Sequence, residues 1–202
     1  MSDVATPRDA LDAIVLGNLM KSAGAAFSEG DPASVESFSR VLQGTRESIR
    51  RMSDRDVKAQ VLSCDPASRR PEVFPMMRWT WEFVNLDHCL VWPEMGSRSW
   101  ARGSVPEVSS MIESGAYPND SLVAFRRKFP IDSYGSMPPI AVRLDGCYRP
   151  LGLDDGNHRA VAAYLNGVRQ VRALVGSGHA YYQDEFRHYR VVRADRPFGD
   201  RT

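Results

Sequence analysis

Apolar residues recur at helical spacing through the first third of the chain. Residues 9–27 carry them on one broad face, and the chain after Pro32 carries them alternately three and four positions apart. Such spacing places apolar side chains along one side of a helix. Asp31 with Pro32, and Ser53 with Asp56, are typical helix starts. We therefore predict three helices in this part of the chain.

Bulky aromatic residues follow a linker at 64–75 that is rich in proline and charge. They are Trp79, Trp81, Phe83, Trp92 and Trp100. Such a group can form part of a hydrophobic core or a platform on which nucleic-acid bases stack. Because aromatic side chains bury large areas, we favour the core.

From residue 88 the pattern changes to alternating strands and helices. It first predicts a strand at 88–92, a helix at 105–114 ended by Gly115, and a helix or turn at 122–129. A strand at 140–144 then joins a returning strand at 148–153 through a hairpin at Asp145-Gly146. The last elements are a helix at 160–166 ended by Gly167 and a strand at 168–175. The tail fits either a helix or an edge strand. The mixture predicts an α+β fold.

Composition excludes several classes of protein. Lys+Arg is 26 and Asp+Glu is 25 in 202 residues, so the charge balance gives no support for non-specific nucleic-acid binding. The three cysteines are Cys64, Cys89 and Cys147, without a CxxC pair, which argues against a thiolate zinc site or a disulfide framework. We see no signal peptide and no apolar stretch long enough to span a membrane, so we expect a cytoplasmic protein.

One local charge run deserves separate treatment. Residues 46–58 contain five basic and three acidic residues. The basic ones are Arg46, Arg50, Arg51, Arg55 and Lys58. A solvated helix face explains them most simply, and a surface that binds nucleic acid is the alternative.

The most informative short string is DGNHR, residues 155–159, which we call the DGNHR segment. It turns into a helix, and a helix N-terminus attracts anions through its unpaired N–H groups and partial positive charge. Gly156 allows close approach of a ligand, while His158 and Arg159 offer donors to a phosphate. Asp155 could cap the helix, hold Mg²⁺, or orient His158 or Arg159. Simple helix capping with exposed side chains is the alternative.

The setting of this string resembles a known superfamily. The stretch PPIAVRLDGCYRPLGLDDGNHRAVAAYLNGVRQVRALV, residues 138–175, is similar to the ParB N-terminal domain, sulfiredoxin and free serine kinases. A DGHHR, GxxR or GCHR turn binds nucleotide phosphates in that superfamily, and DGNHR looks most like the kinase form. The strand LVWPE and the helix VPEVSSMIESG fit the family's first strand and helix. The resemblance covers residues 88–176, under half of the chain.

The resemblance implies a function and a set of site residues. ATP or another nucleotide, with Mg²⁺, would bind at Gly156, Asn157, His158 and Arg159. Asp155 would lie near the metal and the transferred phosphate. Glu94 in VWPE would be the general base toward a small hydroxyl-bearing substrate, although it could equally be a surface carboxylate.

Departures from the family pattern limit what is carried over. Asn157 stands where sulfiredoxins carry the catalytic cysteine, which argues against sulfinate repair. The insertion between Gly115 and Pro138 carries Arg126, Arg127 and Lys128, which either contact phosphate or substrate or belong to a solvated loop.

The resemblance also suggests a division of the chain and two alternative functions. We divide it into a helical extension with linker at 1–75, a ParB/sulfiredoxin-like domain at 76–178 and a tail at 179–202. The first alternative is a nucleotide-gated or DNA-associated binding module. The second is unrelated biosynthetic chemistry in the same pocket.

Overall fold

The computed structural model describes residues 3–24, 32–64, 74–91, 103–116, 121–129, 134, 137–143 and 151–177. The helices are α1 (Pro7–Gly24), α2 (Pro32–Arg51), α3 (Asp54–Cys64), α4 (Val105–Glu113), α5 (Ser121–Arg127) and α6 (Asn157–Leu165). The strands are β1 (Asp3–Ala5), β2 (Arg78–Asn85), β3 (Cys89–Val91), β4 (Gly103–Ser104), β5 (Ile140–Arg143), β6 (Leu151–Asp155) and β7 (Gln170–Ser177).

All of these strands belong to a single mixed sheet. Their order across the sheet is β1-β2-β7-β5-β6-β3-β4. β5 runs parallel to β7 and β3 runs parallel to β6, while the other neighbouring pairs are antiparallel. The α+β class predicted from the sequence is therefore confirmed.

Helices cover both faces of the sheet, and strand alternation divides the core between them. On one face α1, backed by α2 and α3, packs over a set of buried residues that includes Trp79, Ala141 and Leu174. On the other face α4 and α6 pack over a set that includes Val142 and Val175. Adjacent residues of β7 belong to opposite faces because successive side chains of a strand alternate.

Helix α1 is buried on nearly all sides. Its buried residues are Ala10, Leu11, Ala13, Ile14, Val15, Leu16 and Met20. A helix that is apolar all round needs neighbours on every side, and α1 has the sheet beneath it and α2 and α3 beside it. The N-terminal segment thus contributes a strand to the sheet and the central helix of one core.

The predicted N-terminal helices are confirmed. Phe38, Leu42 and Ile49 of the apolar stripe are buried against α1 and its neighbours. Ser53 Oγ accepts a hydrogen bond from Asp56 N at 3.2 Å, as expected for a helix cap. β1 was not predicted, because a three-residue strand carries too little pattern.

The second half also follows the predicted order. β5 and β6 form the antiparallel pair expected of the hairpin, while the predicted turn at Asp145-Gly146 lies outside the described residues. Gly115 and Gly167 have φ angles of 72° and 84°, as expected for residues that end helices. α6 begins at Asn157 rather than at residue 160, so most of the DGNHR segment is helical.

The aromatic group meets the core prediction only in part. Trp79 is buried, and Trp81 packs against the same core. Phe83 lies on the same side of β2, yet its side chain is 75% exposed, so the prediction is wrong there. Phe83 pairs across the sheet with Arg172, which is also exposed. Trp92 and Trp100 lie outside the described residues.

Arg8 joins the start of α1 to the junction of α2 and α3. Its guanidinium binds Asp12 at 2.6 Å and also binds Asp54. The same group donates to the backbone oxygens of Ile49 and Met52, each at 2.9 Å. These carbonyls lie at the C-terminal end of α2, where oxygens lack helical partners.

We predict that Arg8→Met lowers the free energy of unfolding by about 2 kcal/mol, because it keeps the apolar stem but removes several charged hydrogen bonds. Urea denaturation measures the change. Arg40→Met is the control, since Arg40 is 73% exposed and lies 3.6 Å from Glu36. The control should change stability by less than about 0.5 kcal/mol. Equal losses in the two variants would contradict the assigned role of Arg8.

Candidate functional site

The DGNHR segment links the end of β6 to the first turn of α6. Gly156 is the N-cap residue of α6, with a φ angle of 91°, in the left-handed region that favours glycine. A Cβ at this position would lie 2.6 Å from Cγ2 of Ile140. The turn therefore requires glycine for both its conformation and its close packing against β5.

A β-bulge sets the direction of Asp155. In the β5–β6 pair, Val142 lies opposite Leu153 and Ala141 lies opposite Asp155, so Asp154 is an extra residue on β6. An extra residue moves the next side chain to the other face of the sheet. Leu153 belongs to the core on the α4 and α6 side, whereas Asp155 shares the face of Ala141, which α1 covers.

Asp155 and Arg159 form a buried ion pair across the turn. Arg159 Nη2 lies 2.6 Å from Asp155 Oδ2, and the two side chains are 6% and 9% exposed. The same Nη2 donates to the backbone oxygen of Pro139 at 3.1 Å. Arg159 Nε is buried and has no hydrogen-bond partner in the described part of the chain. Such a donor costs free energy unless something binds it.

Helix α1 packs directly on this pair through Gly17. A Cβ at residue 17 would lie 2.5 Å from Asp155 Oδ2 and 2.7 Å from Arg159 Nη1. Glycine is the residue that allows the helix to approach so closely. The N-terminal helix, which the family resemblance does not reach, thus contacts the DGNHR segment.

Four of the five residues of the segment are buried, and Gly156 is partly buried. Asp155, Asn157, His158 and Arg159 are each less than one-tenth exposed, and each of them has an interaction partner. Simple capping with exposed side chains is therefore wrong. The N-cap is Gly156 and not Asp155, so of the three roles considered for Asp155, orienting Arg159 is the one observed.

The other predicted site residues are distributed differently. Glu94 lies outside the described residues. Arg126 is buried in α5, so the solvated-loop interpretation is wrong for that residue. Arg127 and Lys128 are exposed, and Arg127 lies 3.7 Å from Glu113. The described ranges contain no group of three or more His, Cys, Asp or Glu side chains that could hold a metal ion.

A second polar network holds the opposite end of α6. Asn166 Nδ2 donates to the backbone oxygens of Arg127 at 2.6 Å and Phe129 at 3.2 Å, and to the Tyr134 hydroxyl at 3.0 Å. Tyr134 in turn donates to Arg126 O at 3.0 Å. Burial raises the pKa of Tyr134 to about 12, so the hydroxyl stays protonated and keeps donating. The network joins α6 to α5, and no local sequence pattern predicts it, because Asn166 lies more than 30 residues from its partners.

Cys89 is a core residue rather than a nucleophile. It is fully buried in β3. Burial, with a smaller contribution from Asp87, raises the pKa of its thiol to about 12. Thiol chemistry needs the thiolate, which is scarce at neutral pH with such a pKa.

No family model, curated protein or solved structure matches the chain. Among the helices of the described ranges, none is both long and apolar enough to cross a bilayer. The fold and the segment together define a mixed α+β protein with a buried Asp–Arg pair at a helix N-terminus. Membership of the ParB/sulfiredoxin superfamily stays a prediction.

Gly17→Ala should lower the free energy of unfolding by about 1–3 kcal/mol, because the new methyl group would overlap Asp155 Oδ2 and Arg159 Nη1, which belong to the two side chains of the buried ion pair. Gly44→Ala is the matched control: Gly44 is also helical, and a Cβ there meets no atom within 4 Å. Its expected effect is a gain of about 0.5–1 kcal/mol from helix propensity. Chemical denaturation of both variants checks the prediction, and a gain for both would show that α1 does not pack closely at Gly17.

Proposed function

We propose that the protein binds a nucleotide by its phosphates at the DGNHR segment and transfers phosphate to a small hydroxyl-bearing molecule. The observation that carries the proposal is the buried, unpartnered Nε of Arg159 at the N-terminus of α6. A helix N-terminus and a guanidinium both favour phosphate oxygens. The order of strand, helix, hairpin, α6 and β7 is also the order expected of the ParB/sulfiredoxin-like fold, which we propose for residues 76–178.

Each residue of the segment has a distinct part in the proposal. Arg159 and His158 bind phosphate oxygens through their side chains. Gly156 and Asn157 offer their backbone N–H groups to the phosphates at the N-terminus of α6. Positioning and charge stabilisation of this kind provide most of the catalysis in phosphoryl transfer.

Charge balance links Asp155 to Mg²⁺. A phosphate bound at Arg159 Nε would bring further negative charge beside the Asp155 carboxylate, whose Oδ2 lies 2.6 Å from Nη2 of the same guanidinium, and buried charge is unfavourable unless it is balanced. Mg²⁺ is usually held by one or two carboxylates together with substrate phosphates, so a single Asp155 is compatible with that role. The ion would neutralise charge on the phosphates when bound.

Glu94 keeps its proposed role as the general base that accepts the proton of the substrate hydroxyl.

The alternative function, a DNA-associated module, has one observation in its favour. Arg50, Arg51 and Arg55 are exposed and form no ion pair within the described part of the chain. Such a module would bind DNA with strong salt dependence.

We expect ATP with Mg²⁺ to bind the native protein, and Arg159→Lys to bind it at least about tenfold more weakly, because lysine has no donor equivalent to Nε. Titration calorimetry with ATP, ADP, CTP and GTP, with and without Mg²⁺, measures this. Arg159→Ala is avoided because it would leave Asp155 buried and unpaired, at a cost of about 3–5 kcal/mol.

Arg40→Lys serves as the control for loss of an arginine, and circular dichroism verifies that each variant is folded. Failure of the native protein to bind any nucleotide would overturn the proposal. Binding of duplex DNA without binding of nucleotide would favour the alternative module.

Glu94→Gln should leave ATP affinity unchanged and reduce ADP release in the presence of amino acids or other small alcohols by about 100-fold or more, as expected for loss of a general base. A coupled assay for ADP checks this once an acceptor is found. Unchanged turnover would remove Glu94 from the proposed mechanism.

A further inference from the structure

We infer that helix α1 covers the DGNHR segment. Close packing of α1 on the segment therefore competes with binding of an anion at Arg159. This inference rests on the proposed function, because the anion is the ligand that it regulates. It adds a role for the N-terminal helices, to which the family resemblance assigns none.

Access to Arg159 Nε is limited by the space around it. A phosphate oxygen that accepts a hydrogen bond from Arg159 Nε must lie about 2.9 Å from that nitrogen. The nitrogen is buried. Gly17 of α1 lies against the same guanidinium, since a Cβ there would be 2.7 Å from Nη1 and 3.2 Å from Nη2. An anion can reach this donor only if a neighbouring element moves.

Of the neighbours β5 and α1, α1 is the element that can move. Ile140 belongs to β5, which is hydrogen-bonded to β6 on one side and β7 on the other, so its displacement would break the sheet. α1 is held against β5 by side-chain packing. Packed helices can slide by small amounts without loss of the fold, as they do in shear motions.

Helix α1 is anchored at its first turn. Arg8 ties the first turn of the helix to Asp12, Asp54 and the end of α2. Gly17 lies more than two turns further along, over the ion pair. A small displacement of this later part exposes Arg159 while the anchored first turn keeps its hydrogen bonds.

A pair of matched variants tests the competition. Val15→Ala removes buried apolar contacts of α1 and so weakens its packing in the core. Val108→Ala is the control, because it makes the same change in α4, in the core on the other face of the sheet. If α1 must withdraw, Val15→Ala raises the open fraction and should bind ATP about threefold more tightly or better. Val108→Ala should stay within about twofold of the native affinity. Calorimetry with ATP and Mg²⁺ gives the dissociation constants.

Hydrogen exchange provides a second measurement that needs no variant. Addition of ATP should speed exchange of the backbone amides in the later part of α1, while amides of α6 become protected. Slower or unchanged exchange in α1 overturns the inference. This measurement also serves if Val15→Ala fails to fold.

The outcomes separate this inference from the proposed function. If native protein and both variants bind ATP equally, or both variants gain equally, the competition is wrong and nucleotide binding stands. If Val15→Ala binds more weakly, α1 supports the ligand rather than excluding it, which also overturns the inference. If neither the native protein nor Val15→Ala binds nucleotide, the proposed function falls and this inference falls with it.

Discussion

The buried ion pair between Asp155 and Arg159 is the constraint on which the neighbouring structure depends. Two charges taken out of water must remain paired, and removal of one partner costs about 3–5 kcal/mol. Several local features serve that pairing. The bulge at Asp154 turns Asp155 toward Arg159, and the left-handed Gly156 starts α6 where the guanidinium can reach back. Gly17 allows α1 to cover the pair.

The position of α1 explains how the N-terminal third is joined to the rest of the chain. The helix lies between the sheet and the pair α2 and α3, with apolar residues on nearly all sides, so neither neighbour can be removed without exposing core. β1 extends the sheet at β2, ahead of the helix. Arg8 then fixes the three helices to one another at their ends. The N-terminal helices are thus part of one of the two cores that flank the sheet.

The sequence predicts those helices and strands that depend on residues close together in the chain. The stripe along α2, the glycine after α4 and the hairpin of β5 and β6 all depend on residues close together in the chain, and the structure has them. β2 was not predicted, although Trp79, Trp81 and Phe83 alternate as strand residues do. Aromatic character indicates burial and does not by itself specify a strand.

Features of the site that join distant segments could not be predicted in this way. Nothing near Gly17 in the sequence indicates that it meets Asp155 and Arg159, because the contact depends on how α1 lies across the sheet. The extra residue at Asp154 is invisible without the register of β5. The spacing of Asp155 and Arg159, four residues apart, was the one available signal. It is typical of paired side chains on a helix, and here it spans the junction of a strand and a helix.

The hydrogen bonds of Arg159 bear on whether the ion pair is structural alone. A buried pair stabilises a fold only when its geometry is good and further hydrogen bonds satisfy the remaining donors. Here both hydrogen bonds of the guanidinium use Nη2, and the buried Nε has none within the described residues. A leucine–methionine contact of similar volume would avoid that cost, so the pair is a poor choice for stability. Under the proposed function, the unsatisfied Nε is the donor for an anionic ligand, while Nη2 keeps its hydrogen bond to Asp155.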